Sequence, residues 1–236
     1  MAKQKVGVYD RVLECAKEEF LSRGFLDASL RTIAQEAETS TGSIYTRFGD
    51  KEGLFRALAE PVVDEFKAMF RKVQEDFHQF PEEEQRAEMG QYTARHQEDL
   101  LDYIYDHLAE FKILVTNGGE RYDEFMHRVV ELNSATTYRY IEAVGSDAVT
   151  AGRLTPELMH MISSACFSGI FEAVAHDMGR DEAKAYVERL CLFFRAGWQA
   201  IFDPQFAALV DLAAQMPDAP VQDVAARLVE ARGGAP

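Results

Sequence analysis

The sequence predicts an all-α protein, and three observations carry that expectation. There is no proline before Pro61, none between Pro81 and Pro156, and none between Pro156 and Pro204, so long stretches are free to be helical. Apolar residues recur at spacings of three and four, as at Val12, Ala16 and Phe20 or at Phe66, Met69, Phe70, Val73 and Phe77; the alternation of a half-buried strand is missing. Helix-ending signals fall between these runs, at Gly24, Gly49-Asp50, Gly118-Gly119, Gly145, Gly152 and Gly179.

Taken in order, the pattern predicts a first helix over 9–23 that stops at Gly24. Ser29 can cap a second over 30–37, and Ser40 a short third over 41–47. Asp50 can cap a long helix over 51–78, interrupted by Pro61. Two helices over 84–108 and 109–116 lead to the paired glycines, and another follows over 122–144. Thr155 is placed to cap a helix over 156–176 with Pro156 in its first turn, and a ninth helix covers 181–201. Beyond Asp203-Pro204 the chain is alanine-rich, and Pro217 and Pro220 frame a last short helix at about 220–231. This divides the chain into a first domain over 1–56, a larger one over 57–202 and a tail over 203–236.

Composition narrows the function classes. With 236 residues, 47% of them hydrophobic and 28% charged, the chain can bury a core without staples. Its longest apolar runs are five residues, Leu190 to Phe194 and Phe206 to Val210, too short to span a bilayer, and no apolar stretch follows the N-terminal lysines. A cytoplasmic protein with no membrane partner is expected. Cys15, Cys166 and Cys191 are odd in number and far apart, which fits reduced thiols rather than a disulfide framework or a zinc site. The net charge of -15 is unevenly spread: residues 1–56 carry nine basic and nine acidic side chains, the other 180 residues 16 and 31. A neutral N-terminal quarter on an acidic body points to a different partner for that quarter.

The informative stretch is Ser29 to Lys51. Two capped helices separated by a tight break at Glu38-Thr39 make a helix-turn-helix. In the second, Ile44 and Phe48 at i and i+4 point inward, leaving Thr41, Gly42, Ser43, Tyr45, Thr46 and Arg47 outside. Small polar residues at its start would let the backbone enter a DNA major groove closely, with Tyr45 and Arg47 reaching phosphates or base edges. Lys51 sits in a first helical turn, where the macrodipole disfavours a cation; a bound phosphate would resolve the conflict.

These residues resemble the N-terminal DNA-binding domain of the tetracycline-repressor (TetR) family of bacterial transcriptional regulators. The matching pieces are Phe20-Leu21-Ser22-Arg23-Gly24-Phe25, Ser29-Leu30-Arg31-Thr32-Ile33-Ala34, Ser40-Thr41-Gly42-Ser43-Ile44-Tyr45 with Phe48, and Asp50-Lys51-Glu52 with Leu54-Phe55. Glu38 stands where the family usually has glycine, and Thr39 where it usually has an apolar residue. The resemblance implies that Ser40 to Arg47 lies in the groove of a near-palindromic double-stranded operator, while Tyr45, Lys51 and Ser29 to Arg31 hold its backbone. It also implies a homodimer, most simply a repressor, released by a small effector.

The larger domain has no comparable motif and is read physically. Its aromatic supply can line a pocket for a largely apolar effector; Phe70, Tyr103, His107, Phe111, Phe125 and Phe167 are the candidates, four of them flanking the break near 109–119. Small residues on the eighth helix, Ser164 and Gly169 among them, face bulk on the ninth, including Leu190, Phe194 and Trp198. Such a pair fits half of a four-helix dimer interface or an internal packing surface, and the resemblance favours the dimer. A rival from another class is a di-iron carboxylate bundle, because Glu-x-x-His recurs at Glu75/His78, Glu124/His127 and Glu157/His160. No H-E-x-x-H, G-x-S-x-G, P-loop or dinucleotide fingerprint occurs, so no enzyme, metal or cofactor is expected from motifs.

Overall fold

The computed structural model describes residues 7–203 together with 205, 212–215, 220 and 223. Apart from residues 220 and 223, the short helix expected at about 220–231 lies outside the described residues. Nine helices and no strand occupy the described chain: α1 Val8–Asp27, α2 Leu30–Glu36, α3 Thr41–Phe48, α4 Lys51–Phe77, α5 Glu82–Asp106, α6 Leu108–Asn117, α7 Glu120–Ala143, α8 Pro156–Ala175 and α9 Arg180–Phe202. Every predicted helix over 9–201 is found. The largest difference is at α1, which resumes for a few residues past Gly24, where the backbone leaves helical geometry at φ 76 and ψ 166. Glycine is needed there twice over: the left-handed φ disfavours a side chain, and an added Cβ would lie 2.8 Å from Asn117 Oδ1.

The caps are those the sequence offers. Ser29 Oγ accepts from Thr32 N at 3.3 Å, Ser40 Oγ from Ser43 N at 3.1 Å, Asp50 Oδ1 from Gly53 N at 2.7 Å, and Thr155 Oγ1 from Leu158 N at 3.2 Å. Each satisfies an N–H that the first helical turn leaves without a partner. Pro61, by contrast, does not interrupt α4, which runs unbroken through it. Proline forfeits one hydrogen bond, to the carbonyl of Ala57, but the helix is anchored on both sides of that gap. Leu58 and Ala59 are buried in one core, and Phe66 and Phe70 in another.

Those two cores organise the molecule. The N-terminal one gathers Val12, Ala16 and Phe20 of α1, Ile33 and Ala34 of α2, Ile44 of α3, Leu54, Phe55, Leu58 and Ala59 of α4, and Ile113 of α6. The larger one collects Phe66, Phe70, Leu101, Ile104, Phe111, Phe125, Val129 and Phe171, with aromatic rings meeting mostly edge to face. α4 and α6 contribute side chains to both. α8 is long and apolar enough by length and composition to cross a membrane; in this fold it packs against α6, α7 and α9.

Candidate functional site

The N-terminal helices hold α3 by its inner face. Ile44 is fully buried, and Phe48 stacks on Tyr9 with ring centroids 5.4 Å apart. The outer face presents Gly42, Thr46 and Tyr45, the last 54% exposed, with Thr41, Ser43 and Arg47 partly exposed beside them and Arg31 exposed on α2. Ser29 and Ser40 spend their hydroxyl oxygens on the caps, so their first role is to fix where α2 and α3 begin. Buried Glu19 fixes the same point from α1 by accepting from Ser29 N at 3.0 Å. The turn closes as the sequence suggests it must: Glu38 has φ 51, a left-handed position that favours glycine, and Thr39 N donates back to Ala34 O at 2.8 Å.

Lys51, the expected phosphate ligand, is engaged within the chain. Its ammonium donates to the carbonyls of Leu26 (2.8 Å) and Ala28 (3.1 Å) and lies 5.0 Å from the centroid of the Phe25 ring. A cation is out of place at the start of α4, but that start is folded against the carbonyl end of α1, where a cation is favoured. The lysine is a tie between two helices.

The larger domain encloses a cavity of about 260 Å³ between α4, α5, α7, α8 and α9. Of the six pocket candidates, Phe70 and Phe167 line it, edge to face at 5.4 Å. Tyr103, His107, Phe111 and Phe125 do not. Phe111 and Phe125 fill the core beneath, and Tyr103 turns outward, its hydroxyl 3.1 Å from both Val62 O and Glu65 Oε2, with His107 stacked on its ring. The polar lining comes from residues that hydrophobic patterning passes over. Asn133 Nδ2 donates to Ser163 Oγ at 3.0 Å, and His78 Nε2 lies 3.1 Å from Thr136 O. Burial and the charge of Arg139 hold His78 below its ordinary pKa. Cys166 and Cys191 meet across α8 and α9; their mutual hydrogen bond, with burial, pushes the Cys166 thiol up. Asn133, Thr136 and Thr137, at i, i+3 and i+4 on α7, were the one visible signal for this wall.

Known proteins share both the reading head and the helical body. The family model for bacterial regulatory proteins of the tetR family matches residues 12–58, the span that builds α3 and its support. Residues 12–58 are thus similar to the DNA-binding domain of tetR-family regulators. A curated relative, the uncharacterized HTH-type transcriptional regulator YvdT of Bacillus subtilis, is 37% identical over 60 residues, which are 25% of this chain and 31% of that protein. The likeness therefore spans about a third of the relative's length. Solved structures extend it as fold alone: the TetR family transcriptional regulator PfmR of Thermus thermophilus (TM-score 0.55, 19% identity, 79% of this chain and 98% of that one) and SmeT, the repressor of the Stenotrophomonas maltophilia multidrug efflux pump SmeDEF (TM-score 0.55, 14% identity, 80% and 89%).

Within this fold, α8 and α9 expose a different face from the one the sequence suggested. Gly169 is occupied by Leu190 of the same chain, a Cβ there lying 2.8 Å from Leu190 Cδ2; Phe194 and Trp198 line the cavity, and Ser164 is half-buried. The outward apolar side chains are instead Leu158 (37% exposed), Met161 (63%), Leu192 (61%) and Phe193 (72%). The di-iron alternative is not favoured by the placement of its residues. Glu75, Glu124, Glu157, His127 and His160 are all exposed, His127 pairs with Glu131 at 3.1 Å, and His78 is engaged with Thr136. Among the described residues no three His, Cys, Asp or Glu side chains converge to hold a metal ion.

Head and cavity domain meet along α6 and the start of α7. Lys17 pairs with Glu110 at 2.8 Å, and Phe25 N donates to Asn117 Oδ1 at 3.3 Å. Arg121 bonds Glu52 and Gly118 O while its guanidinium lies 4.7 Å from the centroids of both the Phe25 and Phe55 rings. A cation held between two ring faces gains about 0.5–2 kcal/mol at each, by its degree of burial.

Proposed function

We propose that the protein is a cytoplasmic, non-enzymatic transcriptional regulator, a homodimer that holds a near-palindromic double-stranded DNA operator through α3 and releases it when a small, largely apolar effector fills the cavity. The observation that carries this is the placement of α4: its first turns support the exposed polar face of α3, and its later turns, through Phe66, Phe70 and Phe77, form a wall of the cavity. An effector that prefers one setting of α4 changes DNA affinity by no more than the difference in its own affinity for the two settings. Two subunits related by a two-fold axis would offer their α3 helices to half-sites about 34 Å apart. The exposed stripe of Leu158, Met161, Leu192 and Phe193 is the face for the second copy.

Selection of bound duplexes from a random pool tests the DNA half; a symmetric consensus is expected, and no enrichment would overturn it. A dimer near -30, repelled by DNA at long range, must rely on a few local contacts such as Arg31 and Arg47, so scrambled DNA should bind weakly at physiological salt. Phe193→Asp should yield monomers by light scattering; a wild-type protein that is monomeric at micromolar concentration would remove the dimer.

A further inference from the structure

One feature of the cavity lining goes beyond its apolar character. Asp and Glu make up 40 of the chain's 236 residues, yet among the described residues none lines the cavity. Among the described residues, the lining's one permanently charged group is the guanidinium of Arg195. Thr93 on α5 and Arg195 on α9 are also its solvent-exposed lining residues, so the mouth opens between those two helices. The way α5 and α9 are fastened explains why it opens at that end. Arg180 and Lys184 bind Asp102, Asp106 and Glu98 at one end of the helix pair, and Gln97 Nε2 donates to Val187 O at 3.4 Å. Past that bond, Gly90 on α5 has nothing within 4 Å of where a Cβ would sit.

We infer that the cavity takes an amphiphile with an apolar body and an anionic head group, the body lying among the aromatic rings and the head group held at the mouth by Arg195. This rests on the effector reading above and names the chemistry of that effector. An acyl-type body gains from burial at about 25 cal/mol per Å² of apolar surface. A carboxylate or sulfate at the mouth keeps part of its hydration and gains a charge-assisted, two-pronged contact with the guanidinium. A cationic head group meets the opposite sign at the mouth and finds no carboxylate inside; the aromatic rings alone must then offset its desolvation.

The test is a series of probes with one body and three head groups: dodecanoate, dodecanol and dodecyltrimethylammonium, each below its micelle-forming concentration. Trp198, the chain's one tryptophan, lines the cavity and reports binding by its fluorescence. Dodecanoate is expected to bind at least about ten-fold more tightly than the ammonium, with dodecanol between them. Arg195→Gln should bring the two charged probes within about two-fold of each other and leave dodecanol unchanged, while Arg195→Lys retains most of the preference. Equal or tighter binding of the ammonium, no binding of any probe, or a preference that survives Arg195→Gln overturns the inference. Operator release is read separately, by anisotropy of labelled DNA. A cavity that prefers dodecanoate but does not release DNA keeps the ligand class and removes the effector role; release by all three probes alike does the reverse.

Discussion

The head and the cavity domain treat polar groups in opposite ways. In the head, Ser29, Ser40, Asp50, Glu19 and Lys51 all spend their hydrogen bonds on the backbone at helix ends, and Ile44 and Phe20 are fully buried. At the cavity, Asn133, Ser163, His78 and the Thr136 carbonyl are bonded to each other around a volume of about 260 Å³. A surface that must match a rigid duplex is best fixed before it meets its target, because ordering it on contact would subtract from affinity. A site that admits a ligand must keep space, and that space lowers the stability of the domain around it.

The contrast is most open to attack at Ile113. It comes from α6, far along the chain from the head, yet is fully buried in the head's core. Ile113→Ala should cost about 2–4 kcal/mol in chemical denaturation and speed amide exchange in α1 to α3; unchanged exchange there would mean the head closes without α6. Operator affinity comes next. Tyr45→Ala and Arg47→Ala should each weaken binding by about 1–3 kcal/mol with the melting temperature unchanged. Lys51→Met should instead lower the melting temperature as well, since it frees two carbonyls at the end of α1. If Lys51→Met affected only DNA affinity, and equally on every sequence, the phosphate role would return. Glu38→Gly should stabilise the protein by about 0.5–1 kcal/mol by relieving a left-handed backbone, with operator affinity intact.

The smallest effect concerns His78. The folded protein favours its neutral ring, so as pH falls through the ordinary value of 6.5 the unfolded chain takes up the proton first. Stability should be level above that pH and decline below it, towards the lowered folded pKa. His78→Gln should flatten that part of the curve in urea titrations; an unchanged slope would assign it to another group.

How far the sequence could be read follows from where each signal resides. Caps and turns are local, so Ser29, Ser40, Asp50, Thr155 and the misfit at Glu38 were visible before any fold was known. Lys51 was visible as an anomaly, but its resolution depends on which helix end packs beside it, and that is tertiary. Periodicity names the apolar face of a helix without naming what opposes it. It therefore could not separate Phe111 and Phe125, which fill the core, from Phe70 and Phe167, which border space. Phe193 and Phe194 show the same limit: neighbours on one helix turn about 100° apart, and only packing decides that the first faces solvent and the second the cavity.

Ile113 also bears on how such proteins can be recombined. A biosensor builder who grafts this head onto another sensor at residue 56 would leave behind the side chain that plugs its core, together with Asn117 and Arg121, which grip Phe25. The transplantable module is therefore discontinuous: α1 to α4, the face of α6 that carries Ile113 and Asn117, and Arg121 at the start of α7. A chimera that carries those positions across should express and melt cooperatively, whereas one spliced by sequence alone inherits a hole.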